Sequence, residues 1–285
     1  GNGLAAATAT GLELMDANGN IAVSYLFKMD TPAIAACNEF AVFYDLGGSS
    51  ICIASFDGSV RELTAPGTIL SVTVSDGGYL AVTTDYTGYR ALVTIYDTRL
   101  ETVYEWYSSS AWVISAEVSP DNRQLAVLSY TASGSEIRFF SLTSTEQQAA
   151  FSVTDTVLLD VHWLNQSQLC AYSTEQAIFF SDKGLWNDTY SFDGLYLTDC
   201  TFDGEGFVTF ALSSSSSKVF ASMLSQAVFT AATASAKSGS ASQTLKSKLS
   251  TVMLACQPVT TVGFCRALAS SVVSVPASYL ACGVV

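Results

Sequence analysis

The sequence has one histidine, His162, in 285 residues. Ser-His-Asp triads, Cys-His pairs and most zinc sites need histidine, so any such site in this chain would have to include His162. The chain also has no Cys-x-x-Cys pair and no glycine-rich phosphate loop between a strand and a helix. We therefore predict no metal site, no cofactor and no catalytic residue set.

Basic residues are scarce, with 12 Lys and Arg against 25 Asp and Glu and a formal net charge of -13. Phosphate contacts from Lys and Arg supply most of the affinity for nucleic acid, so this balance argues against a nucleic-acid partner. No apolar run is long enough for a transmembrane helix. The first ten residues lack an initiator Met and the pattern of a secretory signal, so we expect any export signal or membrane anchor to lie before Gly1.

A repeated hairpin pattern organises the chain. Each copy is an apolar strand, a polar turn and a second apolar strand, as period-two alternation around Gly, Asp, Asn or Pro predicts. The copies begin about forty residues apart, the period of four-stranded propeller blades. They are "VTVSDGGYLAV" from Val72, "AEVSPDNRQLAV" from Ala116, "VHWLNQSQLCA" from Val161 and "CTFDGEGFVTF" from Cys200.

A second set of hairpins alternates with these inner hairpins along the chain, and their turns carry Asp16, Asp57, Asp97 or Asp182. Inner and outer hairpins together predict an all-β β-propeller of four-stranded blades with essentially no helix. The blades fall near 33–66, 68–107, 112–154, 157–192 and 195 onward, and seven blades fit the length best, with six or eight as alternatives. Residues 11–27 form an outer hairpin whose inner strands we expect from the C-terminus, which would close the ring.

The stretch "SPDNRQLAV" resembles the Ser-Pro-Asp-Gly inner-hairpin turn of WD40-like and TolB-like (YVTN-type) propeller repeats, with Asn122 in place of the usual glycine. The Trp-Asp signature that ends standard WD40 blades is absent, which argues against an intracellular WD40 protein. "DYTGYRALVTIYD" and "EWYSSSAWVISAEVSPD" resemble a propeller-like family of unknown function from Gram-positive gut bacteria, over roughly residues 10–210. This resemblance implies an extracytoplasmic, membrane-anchored protein and transfers no activity.

The last part of the chain differs in composition, because no Asp or Glu follows Glu205 while four lysines and one arginine do. Three interpretations remain open: a divergent closing section with a long polar loop, a basic surface for an acidic partner, or a reading-frame error. We favour the first, with one domain over 1–285 and an irregular polar loop at 232–248. Most of the seven cysteines lie in apolar runs, which favours buried thiols over a disulfide framework.

The inner strands carry polar residues on one face, at positions that align between blades. His162 aligns with Thr73, Glu117 and Thr201, and Asp160 aligns with Asp199. Buried polar groups need partners, so we interpret these residues as hydrogen-bonded braces between blades. The alternative is a carbohydrate-active hydrolase or lyase in which Glu117, Asp160 and Asp199 approach a central channel.

Aromatic residues gather where the loops between second and third strands and the loops between blades share one face of a propeller. Tyr and Trp are enriched in binding hot spots, although they also fill gaps between blades. We therefore predict a non-enzymatic extracytoplasmic module, monomeric, that binds a protein, peptide or glycan. The candidate binding residues are Asp85, Tyr86, Tyr89, Trp106, Tyr107, Trp112 and Tyr130.

Overall fold

The computed structural model describes residues 3–144, 146–154, 156–202 and 206–213, and the backbone of 229–235 and 281–284. Every regular element in these ranges is a β-strand, which confirms the all-β prediction. In chain order the strands are β1 (Gly3–Ala7), β2 (Leu12–Asp16), β3 (Ile21–Tyr25), β4 (Pro32–Ala36), β5 (Phe40–Asp45), β6 (Ser50–Ser55), β7 (Val60–Thr64), β8 (Ile69–Val74), β9 (Leu80–Tyr86), β10 (Tyr89–Tyr96), β11 (Thr102–Ser108), β12 (Trp112–Val118), β13 (Gln124–Thr131), β14 (Gly134–Ser141), β15 (Gln147–Thr154), β16 (Asp160–Asn165), β17 (Gln168–Tyr172), β18 (Gln176–Ser181), β19 (Trp186–Ser191), β20 (Tyr196–Phe202), β21 (Phe207–Ser213), β22 (Phe229–Ser235) and β23 (Ala281–Val284).

The strands form six sheets within the described ranges, and the sheets are the blades of a β-propeller. Blade 1 has the order β23-β1-β2-β3; blades 2 to 5 are β4 to β7, β8 to β11, β12 to β15 and β16 to β19; blade 6 is β20 to β22. The predicted blade bounds agree with these sheets to within a few residues. Seven blades were expected, and the six sheets of the described ranges match one of the two alternative counts.

Blade 1 combines the two ends of the chain, because β23 pairs with β1 in antiparallel register from Leu4↔Val284 to Ala7↔Ala281. The prediction that both inner strands come from the C-terminus is wrong for one of them. β1 supplies the second inner strand and pairs with β2. The sequence of β1, GLAAA, does not predict a strand, because alanine has a low strand propensity. Ala5 and Ala7 are fully buried, so small residues suit the narrow space that β1 occupies.

Aspartate side chains hold the outer turns of blades 1, 2 and 3, as predicted. Asp16 Oδ1 accepts from the amides of Asn18 and Asn20 at 2.8 Å, and Asp57 Oδ1 accepts from the Ser59 amide at 2.9 Å. Asp97 Oδ1 does the same for the Arg99 and Glu101 amides. In blade 5 the turn is held by Ser181 Oγ, which accepts from the amides of Lys183 and Leu185, rather than by Asp182.

Apolar side chains of neighbouring blades pack together and form the core. Between blades 2 and 3, buried Val42 and Ile53 belong to the same cluster as Ile69 and Val82. A similar cluster joins blades 1 and 2, and another joins blades 5 and 6. Full burial of one such side chain contributes about 1.5–3 kcal/mol. Apolar contacts between sheet faces therefore hold these three pairs of blades together.

The contacts divide the chain into two compact units: 1–125 with 142–145 and 262–285, and 126–141 with 146–261. The prediction of one domain over 1–285 stays a prediction. Of the expected polar loop at 232–248, the first four residues belong to β22, and 236–248 lie outside the described residues. In the described part of the chain, no helix is long and apolar enough to cross a membrane.

Candidate functional site

The strands of blades 1 to 3 have two chemically different ends. One end carries the loops between the second and third strands of each blade and the loops between blades, and we call it the "linker end". We call the opposite end the "turn end". Within the described residues of 3–125, ten large apolar residues are exposed, and eight of them lie at the linker end. These eight are Tyr25, Leu26, Leu46, Leu70, Tyr86, Tyr89, Tyr107 and Trp112.

Three predicted site residues, Tyr86, Tyr89 and Tyr107, form one exposed group, the tyrosine cluster. The ring centroids of Tyr89 and Tyr107 are 5.0 Å apart, those of Tyr86 and Tyr107 are 5.4 Å apart, and those of Tyr86 and Tyr89 are 6.2 Å apart. These separations are typical of favourable aromatic pairs. Mutual packing limits the rotation of the rings, so less side-chain entropy is lost when a partner covers them.

The hairpin between β9 and β10 explains the tyrosine cluster. Tyr86 pairs with Tyr89 across a two-residue turn in which Gly88 adopts φ +88°. A register shift between Tyr89 and Leu92 keeps both tyrosines on the face of the sheet that also carries Leu92. Leu92 pairs in turn with Tyr107 on β11. Strand alternation and one bulge thus place three side chains from three strands together.

Trp112 begins β12 and lies under the guanidinium of Arg90, whose carbon is 4.6 Å from the ring centroid. The tryptophan is 56% exposed, so this cation–π contact leaves most of its surface accessible. Trp106 is on the opposite face of β11 from Tyr107, since it pairs with Val93 while Tyr107 pairs with Leu92. The structure therefore does not bring Trp106 into the tyrosine cluster.

Asp85 lies beside the cluster and has a structural contact of its own. Its Oδ1 accepts a hydrogen bond from the Thr68 amide at 2.6 Å, which ties the loop between blades 2 and 3 to β9. Asp45 occupies the same position in blade 2, where its Oδ1 accepts from the amides of Asp30 and Thr31. A shallow depression of about 360 Å³ opens next to Asp85. Its lining residues are Pro66, Gly67, Asp85, Tyr86 and Thr87.

Tyr130 is half-buried, and its hydroxyl donates a hydrogen bond to the Leu158 carbonyl oxygen at 2.6 Å. Burial raises the pKa of Tyr130. The hydroxyl thus braces the loop before β16. Tyr107 differs, since its hydroxyl donates to the exposed Glu105 carboxylate at 3.0 Å, and this hydrogen bond raises the pKa of Tyr107.

The turn end of blades 1 to 3 and of the β12–β13 turn is acidic. Seven carboxylates of the turns lie there with Arg99, Arg123 and the guanidinium of Arg61, which donates to the Thr98 carbonyl oxygen. The seven are Asp16, Glu39, Asp57, Asp76, Asp97, Glu101 and Asp121. The loops of the linker end carry Asp30, Asp45 and Asp85 with Lys28 and Arg90, and the carboxylates of Glu62 and Glu105 accept from the hydroxyls of Tyr25 and Tyr107. The exposed apolar surface therefore lies at the end whose loops carry fewer carboxylates.

Among the polar positions of the inner strands, Thr73 makes the predicted kind of hydrogen bond between blades, whereas the described bonds of Asp160 and Asp199 are local. Thr73 Oγ1 donates to the Ala116 carbonyl oxygen on the next inner strand at 2.5 Å. Asp160 and Asp199 each accept from the amide of the following residue, at 2.8 and 2.9 Å. The His162 ring stacks on Phe202 with centroids 3.9 Å apart.

The described residues contain no group of three or more His, Cys, Asp or Glu side chains that could hold a metal ion. Four described cysteines, Cys37, Cys52, Cys170 and Cys200, carry free thiols. Burial raises the pKa of each, that of Cys52 to about 12. These thiols stay protonated at neutral pH and serve as small apolar core groups.

Comparison with known proteins agrees with this fold. The sequence model of a family of unknown function, DUF5711, matches residues 1–194. No curated protein matches the chain. The β-propeller domain of Cps50 (Swd1) from Myceliophteria thermophila is similar with a TM-score of 0.56 and 8% identity, over 74% of this chain and 76% of that one.

Two further solved structures have the same architecture. Hydrazine synthase from Kuenenia stuttgartiensis has a TM-score of 0.51 and 15% identity, over 72% of this chain and 70% of that one. Hsv2 from Kluyveromyces lactis has a TM-score of 0.52 and 12% identity, over 67% of this chain and 71% of that one. At these identities the similarity shows the β-propeller fold alone.

Proposed function

We propose that this chain, which belongs to the DUF5711 family of unknown function and folds as a β-propeller, is a non-enzymatic recognition module. The observation that carries the proposal is that eight exposed apolar residues lie at the linker end. Three of them form the tyrosine cluster, in which the rings pack against one another. Large exposed apolar patches on soluble domains mark interaction sites. The module binds its partner through this end.

The composition of the linker end favours a protein or peptide over a glycan. The core of protein interfaces is rich in Tyr, Trp and Arg and poor in Lys and Glu. The linker end has Tyr86, Tyr89, Tyr107 and Trp112 with Arg90, and its loops carry one lysine and no glutamate. Sugar sites instead combine one or two aromatic platforms with several convergent polar groups in a concave site.

The hydrolase or lyase alternative draws no support from the described contacts of its candidate acids. Asp160 and Asp199 both accept hydrogen bonds from backbone amides of their own strands. These local contacts orient each carboxylate on its own strand and do not form the facing pair of acids that glycosidic chemistry needs. We therefore keep the recognition function as the conclusion.

A random dodecapeptide library displayed on phage tests the site. Peptides selected on the wild-type protein are measured by fluorescence anisotropy against a Tyr86→Ser/Tyr89→Ser variant and against Ile21→Ser, which removes an exposed apolar residue at the turn end. We expect the tyrosine variant to weaken binding about tenfold or more, as for hot-spot residues, and Ile21→Ser to leave it unchanged. Peptides that bind both variants equally would refute the linker end as the binding site.

We also propose that the module acts outside the cytoplasm, held by an anchor beyond this sequence. The support is the resemblance of "DYTGYRALVTIYD" to exported propeller-like proteins. Protease treatment of intact cells tests this placement. Digestion of the module in intact cells supports it, and digestion only after lysis contradicts it.

A further inference from the structure

The depression beside Tyr86 has the chemistry of a cation site. Its lining contains one charged side chain, Asp85, one aromatic ring, Tyr86, and the apolar ring of Pro66. Asp85 Oδ1 is used by the Thr68 amide, whereas Oδ2 accepts no hydrogen bond and forms no ion pair within the described residues. An exposed carboxylate next to an aromatic face attracts a cation by Coulomb and cation–π interaction.

The charge of the surrounding unit favours the same ligand. Residues 3–125 contain 14 Asp and Glu against 5 Lys and Arg. This excess of nine negative charges makes 3–125 as a whole favour cationic partners, whereas the preference of the depression itself rests on Asp85, because charges more than a Debye length away are largely screened. Arg90 over Trp112 shows that the linker end already uses one guanidinium–aromatic contact.

We propose that the depression receives the side chain of a lysine or arginine from the protein partner, with Asp85 as its ion-pair partner. The inference rests on the proposed recognition function and names the partner's chemistry at that site. The aliphatic stem of the incoming side chain lies along Tyr86 and Pro66, since Lys and Arg stems pack well on apolar surface. The head group reaches Asp85 Oδ2. The tyrosine cluster then contacts the partner residues on either side of this lysine or arginine.

Gly67 lets the loop between blades 2 and 3 lie directly against Asp85. A Cβ at this position would collide with the Asp85 carbonyl oxygen and would lie 2.9 Å from Asp85 Oδ1. The backbone of the loop between blades 2 and 3 can therefore approach β9 closely only because residue 67 has no side chain. This close approach also fixes the Asp85 carboxylate through the Thr68 amide.

The test uses two tripeptides, Ac-Ala-Arg-Ala-NH2 and its neutral analogue with citrulline in place of arginine. Binding is followed by the amide shifts of Gly67 and Thr87 in the ¹⁵N-labelled full chain. Asp85→Asn keeps a side-chain oxygen for the Thr68 amide and removes the charge. Asp45→Asn is the matched control, because Asp45 holds loop amides in the same way and does not line this depression.

We expect the arginine peptide to shift both amides and the citrulline peptide to bind more weakly. Asp85→Asn should weaken binding of the arginine peptide about two- to fivefold, the range for a partly exposed ion pair, and Asp45→Asn should leave it unchanged. Equal binding of the two peptides, or equal effects of the two variants, would overturn the inference. Putrescine is a small diamine without a peptide backbone. If it bound as tightly as the arginine peptide, the inference would also be overturned, because the depression would then be a site for small amines rather than for a side chain of a protein partner.

These outcomes are separate from a failure of the proposed function. If the depression does not discriminate arginine from citrulline while phage-selected peptides still depend on Tyr86 and Tyr89, only the partner chemistry is wrong. If the selected peptides do not depend on the tyrosines, the recognition site itself is wrong.

Discussion

The side-chain amide of Asn122 donates a hydrogen bond to the Gly77 carbonyl oxygen over 2.9 Å. Its oxygen accepts a second hydrogen bond from Ser75 Oγ over 2.7 Å. Asn122 has φ +59°, a left-handed conformation that asparagine tolerates better than most residues. The position that carries glycine in similar propeller repeats therefore carries here a clasp between the inner turns of blades 3 and 4.

Replacing Asn122 with glycine should destabilise the protein. Glycine suits the left-handed backbone, but it removes both hydrogen bonds, and the expected loss is about 1–2 kcal/mol of unfolding free energy. Urea denaturation followed by intrinsic fluorescence measures this loss. Asp193→Gly is the control, because Asp193 has φ 52° and its turn is held by backbone atoms and Ser191 Oγ. That variant should be neutral or slightly stabilised, and similar effects of both substitutions would contradict the clasp.

Gly77 and Asn122 should be energetically coupled. A Cβ at Gly77 would collide with the side-chain amide of Asn122, so Gly77→Ala should destabilise the wild-type protein. In the Asn122→Gly background the side-chain amide is absent, and the same substitution should lower the unfolding free energy by about 1 kcal/mol less than it does in the wild-type protein. A double-mutant cycle in urea gives the coupling energy. Additive effects within about 0.3 kcal/mol would show that the contact does not limit residue 77.

The two tyrosine hydroxyls at positions 130 and 107 should differ in their effect on stability. Tyr130→Phe leaves the Leu158 carbonyl oxygen without this donor at a residue that is fully buried, and we expect a loss of about 1–3 kcal/mol. Tyr107→Phe removes a bond to an exposed carboxylate and should change the unfolding free energy by less than about 0.5 kcal/mol. Thermal denaturation of both variants compares them, and an unchanged midpoint for Tyr130→Phe would remove its role as a brace.

Stability should fall as the pH drops below about 3.8. Hydrogen bonds from the side chain of Asn20, from the side chain of Ser59 and from the Glu101 amide lower the pKa of Asp16, Asp57 and Asp97, respectively, below the usual value for aspartate. A carboxylate whose pKa is lower in the folded than in the unfolded state stabilises the fold above the unfolded pKa. That contribution is lost as the pH falls through the folded pKa.

The triple variant Asp16→Asn/Asp57→Asn/Asp97→Asn should therefore show a shallower loss of stability between pH 5 and pH 2.5. Urea midpoints measured across this range give the slope. Asp182→Asn is the control, since Ser181 rather than Asp182 accepts the turn amides of blade 5. An acid slope that is the same for the triple variant and the wild-type protein would contradict the role of these turns.

The blades could be predicted from the sequence because their signals are local. Strand alternation and turn residues lie within about forty residues, and the predicted bounds 112–154 coincide with Trp112–Thr154 of blade 4. The inner strand β1 could not be predicted, because its alanines become strand residues only when the neighbouring blade buries Ala5 and Ala7. Its pairing with β23 joins residues at opposite ends of the chain, and no local pattern encodes such a pairing.

The candidate site could be predicted only in part. Tyr86, Tyr89 and Tyr107 follow from the hairpin and the strand next to it, whose pairing is sequential. Trp106 is predicted from its place near a loop between blades, but strand alternation puts it on the face opposite to Tyr107. The contact of Tyr130 with Leu158 and that of Asp85 with Thr68 each join a strand to a loop between blades. Such contacts depend on how blades pack, which the composition of a loop does not reveal.

A hydrogen-exchange footprint of the complex with a phage-selected peptide tests the central claim most directly. The claim predicts protection at 66–68, 86–90 and 107–112 when the peptide binds, with no change at the turns that contain Asp57 and Asp97. Protection at those acidic turns, or on the inner strands beside Asp160 and Asp199, with the linker end unchanged, would contradict it.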